Sequence, residues 1–360
     1  MQTTPVIFDG HNDLLLQISM GNTSVEQVVA GGGPTHVDLP RAHAGGFGGG
    51  MFAIFVPGDL DGPAMFAAMA QPAFDLPLPD PIPWQVGARG TLRQAAILRA
   101  LERAGAVRVC TSVDAIEATL ADPTGPMAAV MHIEGAEAIA DDLDMLHVLY
   151  GAGLRSVGPV WSRNNIFAQG VPLRFPGDPD IGGGLSGAGR DLVRECNALG
   201  VVIDLSHLNE AGFDDVARLS DAPLIATHSN AHALCDSPRN LTDRQLAAIR
   251  DSGGLVGLNF AAAFMRADGQ MATDFGPEVM LRHLDHLITH LGEDGVAMGS
   301  DFDGATVSDQ IRDCAGLPAL RAAMVAHGYD APLMQKLCQG NWMRVLRQTW
   351  KDDTDHQAAA

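Results

Sequence analysis

Eight short apolar runs punctuate the chain, at Val6–Phe8, Met51–Val56, Ala128–Ile133, Ser156–Trp161, Val201–Leu205, Leu224–Thr227, Leu255–Phe260 and Val296–Gly299. Most are bounded by Gly, Pro, Asp or Ser, the punctuation of buried strands. Between most of them lie segments of helical period. Leu92–Gly105 places apolar residues at Leu92, Ala95, Ala96, Leu98 and Leu101, and Asp191–Leu199 precedes the fifth run. Thr242 and Gln245 stand at capping-box spacing at the head of Thr242–Arg250. Pro277 opens Pro277–Leu291, a position that helix entry tolerates. Strand–helix alternation repeated eight times predicts an α/β protein with a parallel sheet. Eight units in 360 residues favour a closed (β/α)8 TIM-type barrel over an open doubly wound sheet. The open sheet also lacks a G-x-G-x-x-G turn after its first strand.

The reading assigns residues 1–350 to a single barrel domain. Pro57–Trp84, rich in Pro, Ala, Asp and Met, is an insertion at the carboxyl end of the second strand. It suits a lid or specificity loop and, equally, a solvated excursion. Lys351–Ala360 reads as a disordered tail.

Composition narrows the partners. The chain carries 43 acidic and 23 basic residues, a formal net charge of −20, which disfavours nucleic acid. No apolar run is long enough to span a membrane, and no basic, apolar leader precedes Val6. Cys110, Cys196, Cys235, Cys314 and Cys338 are scattered, odd in number and without a C-x-x-C pair, which suits reduced thiols in a cytoplasmic protein.

Potential ligands collect where the strands end. His11 and Asp13 follow the first strand, two residues apart and so on one face of an extended segment. Glu134 ends the third strand, His207 the fifth, His228 the sixth and Asp301 the eighth. In a closed barrel these ends converge on one mouth. Imidazole and carboxylate without thiolate suit Zn²⁺. The set exceeds the three protein ligands usual for one catalytic zinc, so it predicts a binuclear site with ions about 3.5–4 Å apart. His286 and His290 have the i, i+4 spacing that binds metal on a helix, but no strand-end ligand stands near them in sequence. His132, two before Glu134, is placed to support the site.

At these residues the chain resembles the membrane (renal) dipeptidase family of the amidohydrolase superfamily. The likeness runs nearly end to end. It is carried by Asp9-Gly10-His11-Asn12-Asp13, His36-Val37-Asp38-Leu39-Pro40, Glu134-Gly135, Gly200–His207, His228-Ser229-Asn230, Arg239-Asn240, Asp301-Phe302-Asp303-Gly304 and Gly340-Asn341. The resemblance implies one zinc on His11 and Asp13, a second on His207 and His228, and Glu134 bridging them. It implies Asp301 as proton shuttle and Arg239 as the fork that holds the substrate's terminal carboxylate. The implied reaction is hydrolysis of small dipeptides, L-Xaa-L-Xaa or L-Xaa-D-Xaa, by a metal-bridging hydroxide. Family members often form dimers, and nothing in this sequence decides the matter here. In one place the chain departs from the pattern. Trp161 stands where the family has a histidine that polarises the substrate carbonyl. Trp161, Arg163 and Asn164 are therefore candidate substrate contacts. Two alternatives remain: an N-acyl-amino-acid deacylase, and a non-catalytic barrel scaffold, which retention of the whole ligand set argues against.

Overall fold

All eight apolar runs form strands in the computed structural model, which describes residues 5–60 and 62–351. In chain order they are β1 (Ile7–Asn12), β2 (Phe47–Phe55), β3 (Met127–Glu134), β4 (Leu154–Gly158), β5 (Val202–Ile203), β6 (Ile225–Ser229), β7 (Leu255–Leu258) and β8 (Val296–Met298). Every pairing between them is parallel, in the order β5-β4-β3-β2-β1-β8-β7-β6. The ring closes between β5 and β6. An isolated parallel bridge joins Asp204 to Ile225, and the Leu205 N–H donates to the Ile225 carbonyl at 2.8 Å. The expected (β/α)8 barrel is the fold. A short additional strand, Val107–Val109, pairs with the lower half of β3.

Alternation along the strands sorts side chains between two apolar layers. Ala128 and Val130 face the barrel interior with Phe8, Met51, Val202, Ile225, Leu255, Ala297 and Trp342. Met127, Ala129, Met131 and Ile133 face the surrounding helices. The same period carries His132 and Glu134 inward above Val130. Trp342 plugs the floor, where its indole N–H donates to the Met298 carbonyl at 3.0 Å. The interior is narrow here. A Cβ on Gly10 would lie 2.2 Å from the Thr227 carbonyl and 2.7 Å from the Trp342 ring, so only glycine lets β1 pass.

Four register shifts interrupt the ladders, and two of them fall at strand tips that carry mouth residues. From Asp9 to Asn12, β1 takes three steps against two in β2, Gly50 to Phe52. From Ala226 to Ser229, β6 takes three steps against two in β7. Each extra residue is a bulge that re-aims the side chains at the strand tip. This places His11 and His228 on the mouth.

The helices at Trp84–Arg103, Gly187–Leu199, Asp243–Asp251 and Pro277–Leu291 fall on or near the predicted segments. The Thr242 and Gln245 capping box forms as the sequence suggests. Three short helices between β1 and β2, at Leu14–Met20, Val25–Ala30 and Leu39–Gly45, have no counterpart in the sequence reading. The fourth run stops short of Trp161. Its strand ends at Gly158, because Pro159 has no N–H to continue the ladder.

The Pro57–Trp84 insertion lies against the protein. It forms a helix, Gly62–Met69, and a two-residue strand, Phe74–Asp75, antiparallel to Arg174–Phe175. Met69 and Phe74 bury against Phe55, Trp161, Leu173 and Phe264. Of the tail, residues 352–360 lie outside the described residues.

Candidate metal centre at the barrel mouth

Glu134 is the hub of the mouth. Its Oε1 lies 2.9 Å from Nε2 of His207, 3.3 Å from Nε2 of His228 and 3.8 Å from Nε2 of His11. His11 Nε2 is also 3.2 Å from Asp13 Oδ2, and the Nε2 atoms of His207 and His228 face each other at 3.3 Å. Three groups have donor atoms within 4.8 Å of one another: His11, Asp13 and Glu134; Glu134, His207 and His228; and His11, His228 and Asp301. All six side chains are buried. The strand-end residues of the sequence reading thus meet at one point.

Backbone conformation helps to aim them. His207 and Asp301 both take left-handed backbone, with φ of 69° and 60°. For a non-glycine residue this conformation costs about 1–3 kcal/mol and is kept where surrounding contacts over-determine it. Asp301 is held by its N–H on the His11 carbonyl at 3.0 Å, and its Oδ2 accepts from Asn259 Nδ2 at 3.0 Å. Asp303 clamps the same turn to the His36-Val37 segment. Its carboxylate accepts from the His36 and Val37 N–H groups at 2.6 and 3.2 Å, and its own N–H donates to His36 Nδ1 at 2.9 Å.

An outer layer orients the imidazoles. Asp204 Oδ2 accepts from the Thr227 hydroxyl at 2.6 Å, and Thr227 Oγ1 lies 2.8 Å from His228 Nδ1. The one hydroxyl proton goes to Asp204, so Thr227 accepts from His228 Nδ1–H. That leaves the lone pair of His228 on Nε2, facing Glu134. His207 Nδ1 lies 2.9 Å from the Ser162 hydroxyl. His132 sits beneath, with Nδ1 2.9 Å from Ser156 Oγ and Nε2 3.6 Å from Asp204. The sequence reading gave Asp204, Thr227, Ser162 and Asn259 no role. Asp204 and Thr227 precede His207 and His228 by three and one residues, and that proximity was the available signal.

The electrostatics describe a site built around positive charge. Burial, then His11 and Arg239, hold His207 and His228 well below the ordinary imidazole range, so both are neutral lone-pair donors. Burial alone would lower His11 too, but Glu134 and Asp13 outweigh it and push it up to about 10. Burial pushes Glu134 up to about 8. The carboxylates draw a proton onto His11, and a cation satisfies the same demand. His11 Nδ1 and Asp13 Oδ1 are buried with no hydrogen-bond partner. The donor set therefore fits a divalent metal.

Of the remaining candidates, Trp161 lines the mouth, with its ring 5.8 Å from His207 and 4.9 Å from Phe55. Arg239 lies beneath the same rim, donating from Nη2 to the His228 carbonyl at 3.0 Å, while its buried Nε has no partner. Arg163 is placed otherwise than expected of a substrate contact. It is 1% exposed, and its nitrogens are engaged by Glu137 at 3.0 Å, the Pro57 carbonyl at 3.0 Å and the Val56 carbonyl at 2.7 Å. It anchors the root of the insertion. Asn164 Oδ1 accepts from the Gly170 N–H at 3.2 Å and so shapes its own loop.

Three imidazoles and three carboxylates at the carboxyl ends of parallel barrel strands define a metal-dependent hydrolase. The family model described as membrane dipeptidase (peptidase family M19) matches residues 1–359, and the chain belongs to that family. It is a metal-dependent dipeptidase by that membership. A metallo peptidase from Rhodobacter sphaeroides, solved with a phosphinate mimic of the dipeptide L-Ala-D-Ala, is 55% identical, with a TM-score of 0.94 over 97% of this chain and 100% of that one. The solved dipeptidase AC, an M19 metallo peptidase, is 55% identical, with a TM-score of 0.93 over 97% of this chain and 99% of its own. The "uncharacterized protein in pqqA 5′ region" of Klebsiella pneumoniae is 50% identical over 261 residues, 72% of this chain and 96% of that protein. Among the described residues no helix is long and apolar enough to cross a membrane.

Proposed function

We propose that the protein is a binuclear zinc dipeptidase whose substrates include dipeptides ending in a D-residue. The observation that carries the metal reading is Glu134 Oε1, set within 2.9, 3.3 and 3.8 Å of three imidazole nitrogens from three different strand ends. His11 and Asp13 would hold one zinc, His207 and His228 the other, with Glu134 shared between them. The D-residue reading rests on the Rhodobacter sphaeroides relative, which holds a mimic of L-Ala-D-Ala at 55% identity.

When bound, the zinc pair supplies Lewis acidity and activates water near neutral pH. The remaining roles belong to side chains. Burial raises Asp301 above the usual carboxylate range, so it takes and returns a proton more readily than an exposed carboxylate does, and it carries that proton to the leaving amine. Arg239 keeps a buried, unpartnered Nε for a carboxylate, which limits the substrate to a chain ending close to the metals. Trp161, Phe55 and Phe264 form an apolar wall, with an indole where the family histidine would stand and the Arg239 guanidinium over the Phe264 ring. The five cysteines are buried and unpaired, which supports a reducing cytoplasmic setting.

Metal analysis and hydrolysis measured together test the reading. Purified protein should hold about two zincs per chain at the mouth. Chelation should abolish hydrolysis of L-Ala-D-Ala, and zinc should restore it. Hydrolysis of N-acetyl-D-alanine but of no dipeptide would select the deacylase instead. Arg239→Ala should raise KM for dipeptides by about tenfold or more, the loss of one charge-assisted fork.

A further inference from the structure

A second cluster of metal-competent side chains stands away from the mouth, on the outer layer of helices. His286 and His290 lie one turn apart on the helix Pro277–Leu291, and Asp243 opens the neighbouring helix Asp243–Asp251. The two imidazoles stack, with centroids 4.4 Å apart and planes at 26°. Both turn Nε2 to the same carboxylate oxygen, Asp243 Oδ1, at 2.7 Å for His286 and 3.7 Å for His290. Their donor atoms lie within 4.8 Å of one another.

We propose that Asp243, His286 and His290 form a peripheral site for a divalent transition cation of the zinc class. Zinc bonds of about 2.0–2.1 Å in a tetrahedron set donor atoms about 3.3 Å apart. The two observed separations, 2.7 and 3.7 Å, bracket that value, so side-chain adjustment of a few tenths of an ångström completes the geometry. Two imidazoles and one carboxylate are a borderline donor set, suited to zinc, nickel or copper rather than calcium or magnesium.

The setting holds the donors in place. The Thr242 and Gln245 capping box fixes the first turn on which Asp243 sits. The cation next to it in sequence, Arg244, is engaged by Glu210 and Asp214. The three side chains are 50%, 19% and 31% exposed, so the fourth coordination position opens to solvent and gives an entry path. The chain's net charge of −20 favours cations at its surface. The site shares no residue with the mouth, and its occupancy is independent of the dipeptidase reading.

Equilibrium dialysis of the holoenzyme against buffered free zinc, with metal counted by mass spectrometry, tests the proposal. Wild type should take up one zinc per chain more than the His286→Gln/His290→Gln double variant at high free zinc, while L-Ala-D-Ala hydrolysis in the same samples is equal. Asp243→Asn should weaken that extra site by about tenfold. Identical isotherms for wild type and both variants would overturn the proposal, and a lowered melting temperature with unchanged isotherms would leave only a clamp between two helices. Should the double variant fail to fold, His290→Gln alone carries the test, because the Asp243–His286 contact remains. Failure of the mouth to hold metal would lower all isotherms together and leave the difference between them intact.

Discussion

Replacing Thr227 by valine removes one hydroxyl and keeps the outline of the side chain. That hydroxyl joins two buried groups, Asp204 Oδ2 at 2.6 Å and His228 Nδ1 at 2.8 Å. Without it both lose that partner, at about 1–3 kcal/mol each. Asp204 keeps the Ser206 and Thr227 N–H groups on Oδ1, which holds the stability loss toward the lower end. The specific loss is the tautomer: with Nδ1–H no longer held, the Nε2 lone pair of His228 is not fixed toward Glu134. Removal of such an outer partner typically lowers metal affinity about 10–100-fold, equivalent to about 1.4–2.7 kcal/mol. The assay is zinc affinity by competition with a chromogenic chelator, alongside thermal unfolding of the metal-loaded protein. Thr227→Ser keeps the hydroxyl and should stay close to wild type. A valine variant with wild-type zinc affinity would refute the argument that Thr227 sets the His228 tautomer.

Two further substitutions probe the mouth. A Cβ on Gly304 would lie 2.1 Å from Asp13 Oδ2 and 2.6 Å from Asp301 Oδ1, so Gly304→Ala should push both carboxylates aside and cost about 100-fold in kcat/KM, read by dipeptide hydrolysis at saturating zinc. Arg163→Met leaves Glu137 buried without its cation, so it should destabilise by about 3–5 kcal/mol in denaturant unfolding, with much of the loss recovered by adding Glu137→Leu. A large rise in KM with unchanged stability would instead return Arg163 to the substrate.

The barrel, and the meeting of the imidazoles and carboxylates at its mouth, were legible because chemistry and pattern coincide at the strand ends. Glu134, His207, His228 and Asp301 each follow an apolar run, and parallel strands bring such positions together whatever the loops do. The β1 and β6 bulges were not legible, since an extra residue is a property of pairing with β2 and β7 and leaves no mark on one strand's own alternation. The helices after β1 were hidden for a related reason. All three are short, and the second and third stand on caps at Ser24 and Asp38 rather than on an apolar period. Arg163 was read as a substrate contact from its neighbourhood to Trp161, whereas its burial against Glu137 depends on where the insertion returns.

The seam between β5 and β6 has a consequence for how the barrel opens. Strand β5 is two residues long, and its backbone ladder to β6 is one bridge and one hydrogen bond, supplemented by the Asp204 and Ser206 side chains, which accept from Thr227 and His228. His207 lies just beyond one side of this seam and His228 on the other, with Glu134 reaching across from β3. A cation held by these three side chains cross-links the wall where its backbone ladder is thinnest. Local breathing of the barrel and loss of such a cation would then be one event, and amide exchange around Leu205 and Ile225 would report on both.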